Sequence, residues 1–256
     1  MSTIHEIFGV GNFDGATSRE LPLFVGLECE VESVHRTNQD SHPFEATNDG
    51  SLRNHGVEFI SRPTRIDYIV DDFIKLHKTV QFRDLSAKFS QRTSIHVHVN
   101  CSNLTDVETR NIIYMYALFE EFFFSLVEQD RRHNIHCVPL TETYLPVYYK
   151  HDLHVLISRW HKYTALNIKP LSELGTIEFR HMQGHDDPEL LKMWLGTINS
   201  LVQVGTHNPI NRDTLTDDNI KHWFREIFAD TPVKTMENMV SDVCFNSILD
   251  MKLAVM

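Results

Sequence analysis

Polar and apolar residues alternate from Thr176 to Arg180 in the run Thr176-Ile-Glu-Phe-Arg-His-Met-Gln-Gly184, so Glu178 and Arg180 leave one face of an extended chain and Ile177 and Phe179 the other. Three earlier runs repeat the design. Val25-Gly-Leu-Glu-Cys-Glu-Val31 puts Glu28 and Glu30 on one face, Gly56-Val-Glu-Phe-Ile-Ser61 carries Glu58, and Ser94-Ile-His-Val-His-Val-Asn100 puts His96 and His98 on one face. A carboxylate left unpaired among apolar neighbours costs several kcal/mol, on the order of 2–7 even for a neutral polar group, so such strands need a cation or a donor in front of them. Neighbours in one sheet, they would form a floor of carboxylates and imidazoles suited to divalent metals and a phosphorylated ligand.

The rest of the chain supplies helices to cover the apolar side. Ile66, Ile69, Val70, Phe73, Ile74 and Leu76 recur at helical spacing over residues 66–80. Thr105-Asp-Val-Glu108 has the capping-box pattern and opens a second helix, whose stripe from Ile112 to Leu126 belongs to the core. A short helix is expected around residues 153–163. Asp187-Pro188-Glu189 gives an N-cap, a first-position proline and a first-turn acid for another. Two amphipathic helices, at about 216–228 and 235–250, finish the chain. Residues 35–49 read as a polar loop leading into the turn Asn48-Asp-Gly-Ser51, and residues 131–149 as a lid, a binding loop or a plain connection. The fold class is therefore α+β, an antiparallel or mixed sheet with segregated helices, and not a doubly wound parallel sheet. Three segments follow: a loose lead-in over 1–22, a catalytic domain over 23–209 and a helical appendage over 210–256.

Bulk numbers exclude other classes. A net charge of −11 with no basic stripe argues against nucleic acid as a partner. No apolar run reaches the roughly 20 residues of a membrane helix, and Met1 to Val10 has no export signal, so cytoplasmic residence is the default expectation. Cys29, Cys101, Cys137 and Cys244 form neither a CxxC pair nor a disulfide framework, and most of the 16 histidines are scattered as surface or structural residues. Walker and GxGxxG loops, an HExxH helix and a nucleophile elbow are all missing from the sequence. Read singly, each strand motif is bland: Glu28 and Glu30 a solvated edge, Glu178 with Arg180 a salt bridge, Asp49 a turn residue. Four such motifs together are hard to read as independent surfaces.

The order of motifs is more specific. Gly26-Leu-Glu-Cys-Glu30, Asn48-Asp-Gly-Ser-Leu52, Gly56-Val-Glu-Phe-Ile-Ser-Arg-Pro63, Ile95-His-Val-His-Val-Asn100, Tyr163-Thr-Ala-Leu-Asn167 and Thr176-Ile-Glu-Phe-Arg-His181 together resemble the amidoligase family over roughly residues 23–203. These carboxylate-amine ligases are related in fold to glutamine synthetase and glutamate-cysteine ligase. The resemblance implies an open antiparallel funnel or half-barrel with helices on its outer face, holding ATP and several Mg²⁺ ions, with Mn²⁺ as a substitute. It implies that a substrate carboxylate becomes an acyl phosphate, which an amine converts to an amide or isopeptide bond. Glu28, Glu30, Glu58, His98 and Glu178 then resemble metal ligands, with His96 a further candidate, and Arg180 the arginine on the γ-phosphate. Asp49 matches an Asp-Gly-Ser turn near the amine or the metals. Lys162, Arg62 and Asn167 are candidates for the nucleotide, a phosphate or a substrate carboxylate. The implied partners are small molecules or peptides bearing a carboxylate and an amine. Two other readings use the same residues: a metal-dependent hydrolase or phosphotransferase, and a binding protein that kept the fold without the activity.

Overall fold

The computed structural model describes residues 1–11, 23–35, 43–143 and 145–254. Its centre is an open sheet of strands β1 (Phe24–Val31), β2 (Phe44–Thr47), β3 (Val57–Ser61), β4 (Thr64–Arg65), β5 (Ser94–Asn100), β6 (Leu166–Asn167) and β7 (Thr176–Gln183). The order is β2-β3-β1-β5-β7-β6, with β4 pairing the start of β1, and every ladder is antiparallel. The expected α+β class with an antiparallel sheet stands. Among the described residues, parallel pairing is confined to an isolated bridge between Val138 and Thr164.

Alternation decides which side of the sheet is dry. Val25, Leu27, Cys29, Phe59, Ile95, Val97, Val99, Ile177 and Phe179 are buried together beneath the helices. Those helices are α2 (Ile66–Thr79), α3 (Asp106–Phe124) and α5 (Pro188–His207). Tyr116 and Phe123 of α3 meet Phe179 of β7, and Phe123 packs edge-on against Trp194 of α5 at 5.7 Å. Gly205 lets α5 approach α3 closely, because a Cβ there would lie 2.9 Å from the Ile112 Cα. The α3 cap forms as its sequence requires, with Thr105 and Glu108 exchanging backbone and side-chain bonds. Asp187 caps α5 from one side only, its carboxylate accepting from the Glu189 and Leu190 N–H groups.

Four local expectations change. Residues 1–11 are not loose: Thr3 and Glu6 form a capping box for α1 (Ile4–Phe8), left-handed Gly9 ends it, and Ile4 is fully buried. The remainder of the lead-in, 12–22, lies outside the described residues. Within the expected loop 35–49, Phe44–Thr47 is a strand, because β3 offers it a ladder partner and Phe44 a buried seat; residues 36–42 lie outside the described residues. The expected helix at 153–163 ends earlier, as α4 (Leu153–Arg159). The helix expected at 235–250 is broken into a 3₁₀ segment (Pro232–Met239), α7 (Val240–Val243) and α8 (Phe245–Ala254). Thr, Asn, Ser, Val and Cys dominate that stretch, and their weak helix preference leaves packing to decide. Before it, α6 (Asp217–Phe228) buries Phe224 and Phe228 against Phe119 and Phe122, and the same core extends as far as Met251.

Candidate functional site

The face of the sheet opposite α3 and α5 is charged, and the ladder register says which charges meet. Glu28 of β1 lies opposite His96 of β5, Glu30 opposite Glu58 of β3, His98 opposite Glu178 of β7, and Glu178 opposite Asn167 of β6. Side chains facing one another across an antiparallel pair stand about 5 Å apart at Cβ, so this register alone draws the carboxylates and imidazoles together. Asp49 joins them from the β2–β3 connection. Its Oδ1 accepts the Ser51 N–H at 2.7 Å, the side-chain turn expected of an Asp before Gly. The connection then reverses through left-handed Asn54 and His55, whose turn closes with the Gly56 N–H on the Arg53 carbonyl at 2.8 Å.

Three groups have ligand atoms within 4.8 Å of one another: Glu28, Glu58 and His96; Glu28, His98 and Glu178; and Glu30, Asp49 and Glu58. All seven candidate ligands from the strands and the turn therefore fall into sets that could hold a cation. Glu28 belongs to two sets and Glu58 to two, so neighbouring ions would share carboxylates.

The hydrogen bonds around these groups hold them in place. His96 Nδ1 lies 3.0 Å from Glu28 Oε2 and 3.3 Å from Glu178 Oε1, while its Nε2 contacts Ser94 Oγ at 2.8 Å. The Ser94 hydroxyl donates to Glu30 at 2.6 Å, and Thr47 donates to Glu58 at 3.1 Å. Asn167 donates to the second Glu178 oxygen at 2.6 Å, and Arg180 Nη1 donates to the first. His98 Nδ1 meets the Thr176 hydroxyl at 3.0 Å. His98 Nε2 approaches Glu28 Oε1 to 3.1 Å without the direction of a hydrogen bond, so it is a buried nitrogen lacking a hydrogen-bond partner.

Electrostatics separate the carboxylates. Burial pushes Glu28 toward protonation, but its contacts with His96 and His98 outweigh that and hold it far below the usual carboxylate range. Burial and then the Glu28 charge push Glu58 the other way, from an ordinary 4.5 to about 7. For His98, burial opposes the charged form, yet the contact with Glu28 and the charge of Glu178 raise its pKa. Cys29 points into the core, where burial and the surrounding glutamates raise its thiol far above the ordinary value; it is no nucleophile.

Of the other expected residues, Asn167 touches a carboxylate, whereas Arg62 and Lys162 are exposed. Asn167 is buried, and its amide is committed to Glu178 and to the Lys169 N–H, so it braces a ligand. Arg62 is exposed beside Ser61 and Pro63, and Lys162 is exposed with its ammonium 4.8 Å from the Tyr163 ring centre; among the described residues neither has an ion-pair partner. That ring packs edge-on against His136, whose carbonyl accepts from Arg180 Nε at 3.1 Å, which places Lys162 on a rim leading to Arg180. At the other end, a cavity of about 170 Å³ opens beside Glu28 and His98, walled by Phe24, Ile60, Pro63 and Leu174. Asn100 lines it, and its buried Nδ2 has no hydrogen-bond partner.

Sequence reasoning passed over Ser94, Thr176 and Thr47. Parity could have found the first two, since Ser94 precedes His96 by two residues and His98 by four, and Thr176 precedes Glu178 by two. Arg131 also went unnoticed. It is buried, and its Nε and Nη2 donate to the carbonyls of His181 and Arg180, each at 2.8 Å.

A family model described as "Putative amidoligase enzyme" matches residues 30–202, well over half of the chain. The chain belongs to the amidoligase family. The match takes in Glu30, Asp49, Glu58, both histidines, Asn167, Glu178 and Arg180, and begins two residues after Glu28. No curated protein matches the sequence. Among the described residues, no helix is long and apolar enough to cross a membrane.

Proposed function

We propose that this amidoligase is an ATP- and Mg²⁺-dependent carboxylate-amine ligase whose sheet is of the glutamine-synthetase type. The observation that carries the reading is the register: four adjacent strands bring Glu28, Glu30, Glu58, His96, His98 and Glu178 onto one face, and Arg180 closes the row.

The donor set fits divalent cations. Each group has at least two carboxylates, and one is made of carboxylates alone. Hard ions such as Mg²⁺ or Mn²⁺ prefer such oxygen-rich sets, and they share their remaining positions with phosphate oxygens. Glu28, His98 and Glu178 would hold one ion and Glu30, Asp49 and Glu58 another, with Glu28, Glu58 and His96 between them; the ions would supply charge neutralisation at the phosphates. Arg180 is suited to the γ-phosphate because its planar fork stabilises charge developing on transferred oxygens. The apolar cavity beside Glu28 suits the nucleotide base, with the Asn100 amide as its donor.

In the reaction we propose, a carboxylate oxygen attacks the γ-phosphorus and ADP leaves. An amine then attacks the acyl carbon, loses a proton and expels phosphate, leaving an amide or isopeptide bond. The chain's own part is positional and electrostatic: Asn167 and Arg180 fix Glu178, Ser94 fixes Glu30 and His96, and the exposed Lys162 and Arg62 are available to a substrate carboxylate or phosphate. The test is ADP and phosphate release from ATP and Mg²⁺ with a panel of amino acids and peptides. Turnover of a phosphoester without ATP would favour the hydrolase reading, and no metal-dependent heat with ATP would favour a binding protein.

A further inference from the structure

Along β5 and β7 the pairing is regular from Asn100–Thr176 to Val97–Phe179, and then slips: Ile95 pairs with Met182, and Ser94 with Gln183. Two residues of β7, Arg180 and His181, therefore face the single His96. This is a β-bulge, and it lets Arg180 stay on the charged face while His181 and Met182 are both buried in the core.

A bulge disturbs its own backbone. In a regular strand successive carbonyls point to opposite sides; here the carbonyls of Arg180 and His181 are both within 2.8 Å of one guanidinium, that of Arg131. Arg131 is only 2% exposed, so a charge has been taken out of water to make these two bonds. Its partners there are main-chain oxygens, and a planar fork with donors on separate nitrogens fixes the spacing of two of them, which the single nitrogen of an ammonium does not. From the same segment, the His136 carbonyl accepts from Arg180 Nε. Arg180 is thus held by its backbone from Arg131 and by its side chain from His136.

We propose that Arg131 is the positioning residue for Arg180: it stabilises the bulge that aims the Arg180 guanidinium along the metal-binding face. What Arg180 contacts there rests on the ligase reading, whereas the positioning does not.

The test uses the full chain and Arg131→Lys, with Arg131→Gln as a second variant should the first fail to fold, and Arg180→Ala in both backgrounds. The first readout needs no ligand: the Arg180 Nε–H resonance, identified by its loss in Arg180→Ala. It should be sharp and slow to exchange in the parent protein and broadened or lost in Arg131→Lys, with the backbone amide spectrum of the rest of the sheet retained. An unchanged Arg180 resonance would overturn the inference. The second readout is Mg·ATP affinity by calorimetry. Arg131→Lys should weaken it on the order of tenfold, and should have no further effect once Arg180 is alanine; an equal loss in both backgrounds would mean a merely structural role and also overturn it. A parent protein that binds no Mg·ATP would count against the ligase reading alone, and the resonance would still decide the role of Arg131.

Discussion

Glu30 of β1 and Glu58 of β3 face each other across an antiparallel pair, two carboxylates where cross-strand partners usually attract. Metal-free, Glu58 is the member whose charge is disfavoured: burial and then the Glu28 charge raise its pKa to about 7. Because the folded state then binds the proton more tightly than the unfolded chain, this group's contribution to stability is present at pH 4.5 and lost as pH rises toward 7. Chelator-treated protein should therefore lose thermal stability across that window, and Glu58→Gln should flatten the loss. With Mg²⁺ or Mn²⁺ added, the trend should reverse, since binding releases the same proton. A stability profile identical in both proteins would refute the assignment.

Removing Glu178 or Arg180 tests the other end of the site. Glu178→Gln should keep the bond from Asn167 yet cost one cation position. Arg180→Ala should lower any ATP-dependent turnover by roughly 10²–10³-fold, the usual loss for a charge-stabilising donor. Full activity in both variants, measured by phosphate release, would rule out their proposed roles.

The cavity makes a steric prediction. A Cβ on Gly26 would lie 3.9 Å from the His98 Cβ, an ordinary contact, so Gly26→Ala should fold normally. Gly26→Val should also fold but extend into the cavity, raising the KM for ATP with little change in kcat at saturation. Unaltered ATP dependence in Gly26→Val would separate the cavity from the nucleotide.

Two glycines of α5 give a paired stability test. Gly196 has nothing within 4 Å of its missing Cβ, whereas Gly205 abuts Ile112. Gly196→Ala should stabilise by up to about 1 kcal/mol through helix propensity, and Gly205→Ala should destabilise by about 1–3 kcal/mol through overpacking. Urea denaturation of the two variants decides it; equal midpoints would mean that α3 and α5 do not approach as described.

Glu120 is a buried carboxylate that accepts from the Leu140 and Thr141 N–H groups and from the Tyr116 hydroxyl. Glu120→Ala would strand those donors and should destabilise the fold by roughly 3 kcal/mol, visible as a shift of the urea midpoint. A shift of a few tenths would mean that water replaces the carboxylate.

Period-two alternation made the charged strands legible, since Glu28, Glu30, Glu58, His96, His98 and Glu178 each sit between apolar residues and Arg180 follows Phe179. Parity fixes a face but not a neighbour, so which carboxylates share a cation depended on register, which forms between distant segments. The bulge falls where Arg180 and His181 break the alternation of Thr176–Gly184, two polar residues side by side, but such a pair alone does not distinguish a bulge from the end of a strand. Arg131 lies in Gln129-Asp-Arg-Arg-His-Asn134, a run that reads as surface, and only the strand beneath it explains its burial. Phe44–Thr47 was hidden among polar residues and gains strand structure from β3. The C-terminal segment failed differently: its apolar spacing suited one helix, and weak propensities let packing divide it.

The ligand sets span residues 28 to 178, and each draws on at least two distant segments of the chain. No short stretch of the polypeptide can bind a cation in this way, so the ions cannot guide early folding; they can only reward a sheet already closed over long loops. Cation affinity is then a direct gauge of completed topology: a damaged strand pairing anywhere from β3 to β7 should register as weakened binding even where the surrounding helices remain intact.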